Sequence, residues 1–207
     1  MNHTNICILD CEYFACIDWY QKYISTPNVL IEQYEHFERK SFRNRCEVAG
    51  PNGKITLSIP LERGRNQRTI MKDVKVCNDE KWLLLHWKTI CTSYRRSPFF
   101  EYYEEQLQSF FEKDFTYLMD VNLHSLELIN ALLKQVNTYQ LSEKYQKELE
   151  IDTYDGRKSF LPQNDTTNHS LKYIQIFEER NSFMPNLSIL DMVFSCGNQT
   201  NKLLSTL

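Results

Sequence analysis

Glycine and proline are scarce in this chain, five and six in 207 residues, and the scarcity removes several classes at once. Collagen-like and low-complexity repeats need far more of both. Neither G-x-G-x-x-G nor G-x-x-x-x-G-K-[ST] occurs, so the two common glycine-rich phosphate loops are absent. No apolar run approaches the roughly 18 residues that cross a bilayer. The first five residues lack the basic flank and apolar core of a signal peptide, and a cytoplasmic protein is the expectation. Net positive charge is missing too. At a formal charge of -3, general nucleic-acid binding is not expected, because such domains carry a basic face. Seven cysteines form an odd set without a C-x-x-C pair, which points to reduced, mostly buried thiols. Cys7, Cys11 and Cys16 match none of the usual zinc spacings. No metal and no other cofactor is expected.

What remains is an ordinary globular composition, with enough length for one sizeable core. The expected organisation is a single domain over 1–207: a mixed α/β part at 1–77, a helical part at 78–136 and a C-terminal extension at 137–207. The apolar run Asn5 to Leu9 reads as a buried strand, with Asp10 as N-cap of a helix carrying Tyr13, Phe14, Ile17 and Tyr20. That helix stops before Pro27, and Val29-Leu30-Ile31 is a second strand, making a βαβ unit with a parallel pair. Gly50-Pro51-Asn52-Gly53 between Arg45–Ala49 and Ile55–Ile59 is the clearest hairpin signal. Val74 to Cys77 adds a further strand. Helices follow at 80–96, 99–112 and 122–136. In the extension we expect a strand from Tyr139, a polar loop at 164–170, a strand at Tyr173–Phe177 and a short helix over 188–194, capped by Ser188 or Asn186 and stopped at Gly197. The fold class is α/β: a βαβ unit and a hairpin in a mixed sheet, then helices, then a strand and a helix on the same core.

Charge is distributed unevenly. Between Glu38 and Lys75 stand ten Lys/Arg against Glu38, Glu47, Glu62 and Asp73, although the whole chain is acidic. Such a segment is either a solvated basic loop or a place that holds an anionic partner. Within it, Arg43, Asn44 and Arg45 are the candidate phosphate ligands, because guanidinium forks suit bidentate contact with phosphate or carboxylate. Extended geometry would put Arg43 and Arg45 on one face and Asn44 on the other. Arg63, Arg65 and Arg68 read as an electrostatic rim. His86 lies beside the expected core stripe Leu83, Trp87, Ile90 and Tyr94. It is either a general acid or base or a core histidine holding its helix. Glu32 and Glu35 follow the second strand, and Glu12 and Tyr13 follow the first, where ligands gather in open α/β sheets. Glu32 alternatively pairs with Arg43 or Arg45. Tyr94 and its aromatic neighbours either wall a ligand or fill the core.

These blocks resemble the WbqC-like protein family. The resemblance rests on Tyr13-Phe14, Glu32-Gln33-Tyr34-Glu35, Ser41-Phe42-Arg43-Asn44-Arg45, Leu57-Ser58-Ile59-Pro60 and Lys72-Asp73-Val74-Lys75. It extends to His86-Trp87, Tyr94 through Phe100 with Tyr102-Tyr103, Tyr173-x-Gln175-x-Phe177 and Pro185 through Asp191. Many members carry His-Gln-Pro-x-Tyr where this chain has Leu9-Asp10-Cys11-Glu12-Tyr13, a variant similar to a Bacteroidota-type branch. The resemblance implies a role in bacterial surface-polysaccharide (O-antigen-like) biosynthesis. Its implied activity is an acyl- or aminoacyl-type transferase acting on a nucleotide-activated or phosphorylated amino sugar. The partner expected is therefore an anionic small molecule (a sugar phosphate or nucleotide sugar), alongside other polysaccharide-assembly enzymes. Arg43, Asn44, Arg45, Tyr13 and Tyr94 would bind substrate, with His86 and Glu32 catalytic. The alternative is a non-catalytic sugar-nucleotide-binding or interaction protein of the same pathway.

Overall fold

A computed structural model describes residues 6–62, 68–162 and 171–205. Arg63, Arg65 and the loop at 164–170 lie outside the described residues. Strand β1 (Ile6–Asp10) is buried from Cys7 onward and pairs in parallel with β2 (Val29–Glu32). Helix α1 (Ile17–Ser25) makes the crossover between them. The register sets Asp10 beside Glu32, so two carboxylates end neighbouring strands at the same edge.

The entry to α1 differs from the expected one. Asp10 completes β1 instead of capping a helix, and Cys16 precedes the first helical residue. The intervening loop is held by tertiary bonds. Phe14 sits at φ 38, a left-handed conformation that no bulky residue adopts without compensation. Its N–H donates to Ser125 Oγ, and its carbonyl accepts from Ser188 Oγ at 2.7 Å. Ile17 N–H donates to Leu187 O and Ile189 N–H to Ala15 O. Chain segments 170 residues away override the local capping signal.

The hairpin forms as its turn demands, β3 (Arg45–Gly50) against β4 (Gly53–Ser58). Gly53 takes φ 116, which glycine adopts at no steric cost. A Cβ at Gly50 would lie 2.4 Å from Ile55 Cδ1. The hairpin is a two-stranded sheet of its own, separate from the parallel sheet. Val74–Cys77 is not a strand. After a 3-10 turn at Met71–Asp73 it makes only isolated bridges, Lys75 with Tyr117 and Val76 with Leu61.

Three helices follow: α2 (Trp82–Tyr94), α3 (Phe100–Phe111) and α4 (Leu118–Leu133). The buried face of α2 carries Trp82, His86, Ile90 and Tyr94, while Leu83 and Trp87 are half-buried. His86 therefore belongs to the core stripe rather than its flank. Helix α4 begins four residues earlier than its polar Asn122 suggests, because Leu118 and Met119 are buried.

The extension returns to the sheet. Strand β5 (Tyr139–Leu141) joins β2 and β6 (Thr153–Asp155) joins β1, both parallel, giving the order β5-β2-β1-β6. The expected strand at Tyr173–Phe177 is absent. Alternation there is real, with Tyr173 and Gln175 buried and Ile174 86% exposed, but among the described residues no neighbouring strand completes a ladder. Short helices α5 (Glu178–Asn181), α6 (Ile189–Cys196) and α7 (Thr200–Leu204) close the chain. Of the two candidate caps, Ser188 takes the role by accepting from Leu190 N–H, while Asn186 Oδ1 accepts from Asp18 N–H; Gly197 at φ 56 stops α6 as expected. One hydrophobic cluster joins residues from Cys7 to Leu204.

Candidate functional site

The carboxyl ends of β1, β2 and β6 meet in a cluster of buried charges. Asp10 ends β1, Glu32 ends β2, and Glu12 and Glu35 follow each strand by two or three residues; all four are buried. Arg43 lies among them at 1% exposure. Its Nε donates to Asp10 Oδ2 at 3.3 Å, its Nη2 to Glu35 Oε2, and its Nη1 to His36 O at 2.8 Å. The loops are fixed around it. Asn122 donates to both Cys11 O and Arg43 O, and Tyr13 N–H donates to Phe42 O.

Two cations arrive from the extension. Gly156 packs against β1 so closely that a Cβ would lie 2.6 Å from Leu9 Cδ2, and its N–H donates to Ile8 O. That contact delivers Arg157 to Glu32 (3.5 Å) and Asp155 (2.7 Å). Lys158, at φ 63, reaches Glu35 (3.2 Å) and Glu38 (3.5 Å). Glu32 is otherwise satisfied, because Ser142 Oγ and Tyr34 N–H both donate to its Oε1.

The cluster is incompletely satisfied. Asp10 Oδ1 and both oxygens of Glu12 are buried without a hydrogen-bond partner. Burial, then the Asp10 charge, pushes Glu12 well above the usual carboxylate range; the Cys16 amide opposes this without meeting hydrogen-bond geometry. Burial also raises Asp10, against the pull of Arg43. For Arg43, burial works downward, yet Asp10 and Glu35 together hold it above its ordinary value. A buried carboxylate with no donor is costly, and holding the proton lowers that cost.

The other candidate residues divide between this cluster and two further places. His86 is buried behind it, its Nδ1 3.0 Å from Tyr13 Oη and its Nε2 3.2 Å from Ser58 O. A carbonyl only accepts, so Nε2 carries the proton and the Tyr13 hydroxyl donates to Nδ1. Burial lowers the imidazole to about 4, a direction the Ser58 bond opposes. Asn44 Nδ2 donates to Ile59 O and closes the open end of the hairpin. Arg43 belongs to the turn before β3 and its guanidinium is committed to Asp10, Glu35 and His36, whereas Arg45 is half-buried within β3 and enters no salt bridge with a described residue. Tyr94 lies elsewhere. Its hydroxyl accepts from Ala49 N–H and donates to Asp191 Oδ1, while Tyr173 donates to Asp191 Oδ2 at 2.6 Å. Gln175 donates to Tyr173 Oη and pairs twice with the Met184 backbone. This second polar cluster is complete.

Asp10, Arg157 and Lys158 were not singled out from sequence as site residues. The available signal was Asp155-Gly156-Arg157-Lys158, a turn with two cations in an otherwise polar stretch. Among the described residues no group of three or more His, Cys, Asp or Glu side chains is arranged to hold a metal. No described helix is long and apolar enough to cross a membrane.

Fold and site define an α/β protein with a parallel sheet whose carboxyl edge holds a charged, carboxylate-rich cluster. Residues 11–155 match the WbqC-like protein family, and the chain belongs to that family. No curated protein and no solved structure gives a match. Arg157 and Lys158 stand just beyond the matched stretch.

Proposed function

We propose that the protein is a transferase of bacterial surface-polysaccharide biosynthesis, acting on a phosphorylated or nucleotide-activated amino sugar at the carboxyl edge of the sheet. The reading is carried by three buried carboxyl oxygens without partners, Asp10 Oδ1 and both of Glu12, beside Arg43 and Lys158. An ammonium or sugar hydroxyl supplies the donors those oxygens lack. Open parallel sheets bind ligands at this edge. Glu32 and Arg43 act as positioning residues in this reading, since their contacts run mainly to protein groups. Tyr13 and His86 brace the wall behind them.

A second reading, a non-catalytic binding protein of the same pathway, is favoured by one observation. His86, the natural general base, has both ring nitrogens engaged. Thermal melting with glucosamine 1-phosphate, UDP-glucosamine and their N-acetylated counterparts tests the site. The free amines should raise the melting temperature more than the acetylated forms, because only a ligand that prefers the native state stabilises it. Equal or absent shifts would overturn the site. Product formation with acyl donors then separates the two readings: shifts without turnover favour binding alone.

A further inference from the structure

The complete cluster around Asp191 anchors two segments whose next residues face each other across a separate hollow. Tyr94 precedes Arg95 and Arg96 at the end of α2, and Gln175 precedes Ile176 and Phe177. With Pro51 at the hairpin tip and Cys91 on α2, these residues line a pocket of about 540 Å³. Its chemistry is two-sided. Arg95 is largely exposed, with a 3.4 Å contact to Glu104 and an interaction with the Cys91 thiol, while Arg96 enters no salt bridge among the described residues. Opposite them, Ile176 and Phe177 present an apolar and aromatic wall.

We propose that this pocket binds a nucleoside phosphate, with its phosphates on Arg95 and Arg96 and its base against Phe177. Guanidinium forks suit phosphate oxygens, and an aromatic ring offers a stacking surface to any base. The volume falls within the roughly 300–1,000 Å³ of small-molecule sites. The C-terminal end of α2 opposes an anion with about half a negative charge, which two full positive charges outweigh. The buried bonds beneath keep both walls in fixed register. Along β3, five residue steps separate Gly50 at this end from Arg45, about 17 Å at the usual rise. The pocket is therefore distinct from the charged edge of the sheet, and its assignment does not depend on the function proposed there.

Cys91 gives a readout independent of turnover, because it lines the pocket and is partly accessible. Cys77 and Cys196 are comparably accessible and lie outside it, so they serve as internal controls. The intact protein is alkylated with iodoacetamide, resolved by site, during titration with the diphosphates of uridine, adenosine and guanosine. At ten times its dissociation constant, a bound nucleotide should slow Cys91 about tenfold by mass action and leave the controls unchanged. The double variant Arg95→Gln, Arg96→Gln should weaken protection about ten- to a hundredfold per lost charged contact. Its ligand-free alkylation rates at Cys77 and Cys196, matching the wild type, show that the fold is retained, while protection of Cys91 is read relative to the variant's own ligand-free rate. Three results would overturn the assignment: Cys91 indifferent to every nucleotide, equal protection by inorganic phosphate, or protection that survives the double variant.

Discussion

Two buried polar clusters in this molecule have similar ingredients and opposite bookkeeping. Around Asp191, every hydroxyl, amide and carboxyl oxygen has a partner: Tyr94, Tyr173 and Gln175 close the network onto Ala49 and Met184. At the sheet edge, Arg43 binds Asp10 and Glu35, yet Asp10 Oδ1 and both Glu12 oxygens remain unpartnered. A satisfied network rigidifies the fold. An unsatisfied one costs stability, and departures of this kind are expected where function overrides packing. The first cluster ties the extension to the hairpin; in the function proposed above, the second takes its missing donors from the substrate.

The largest expected effects lie where a buried charge loses its partner. Arg43→Ala strands Asp10 and Glu35 in the interior and should cost about 3–5 kcal/mol, read from the denaturant midpoint at constant slope. Asp191→Ala removes the acceptor of two tyrosine hydroxyls, each bond to a charged group being worth about 1.5–3 kcal/mol, so a loss of about 3–6 kcal/mol is expected. A loss under about 1 kcal/mol for Asp191→Ala would contradict a stabilising network there, and the same result for Arg43→Ala would contradict a buried guanidinium holding two carboxylates.

Acidity separates two buried groups by sign. Burial lowers His86 from 6.5 to about 4, so below pH 6.5 the unfolded chain binds the proton that the folded chain refuses. Stability should fall as pH drops from about 6.5 to 4, by about 3 kcal/mol from this residue. Burial raises Asp191 from 3.8 to about 6, and the sign reverses. Its contribution is present below pH 4 and is lost as pH rises to about 6. Urea titrations across this range should show a flatter acid limb for His86→Gln and a steeper one for Asp191→Asn. Parallel curves for all three proteins would contradict both assignments. A smaller effect is expected at Lys158. Its side chain is 52% exposed and its bonds to Glu35 and Glu38 are solvent-screened, so Lys158→Ala should cost under about 1 kcal/mol.

Elements with a strong local cause were legible in the sequence. The Asn52-Gly53 turn, the Ser188 cap and the Gly197 stop each need nothing but their own residues. The βαβ unit followed from two apolar runs and Pro27. What escaped were features decided by distant chain. Strand β6 is three residues, Thr-Tyr-Asp, with no apolar signature. The left-handed Phe14 depends on Ser125 and Ser188. Site residues followed the same division. Glu12, Glu32 and Glu35 were placed at the rim because strands were recognisable. The partner of Glu32 proved to be Arg157, not Arg43 or Arg45, since only the three-dimensional path brings Gly156 onto β1.

Thermal melting of Glu12→Met, with and without UDP-glucosamine, tests the central claim most directly. Replacing an unpartnered buried carboxyl by an apolar group of similar size should leave the melting temperature unchanged or higher, while the rise caused by the amino sugar disappears. A variant that melts as low as Asp191→Ala, or that keeps the full ligand-induced rise, would contradict the account.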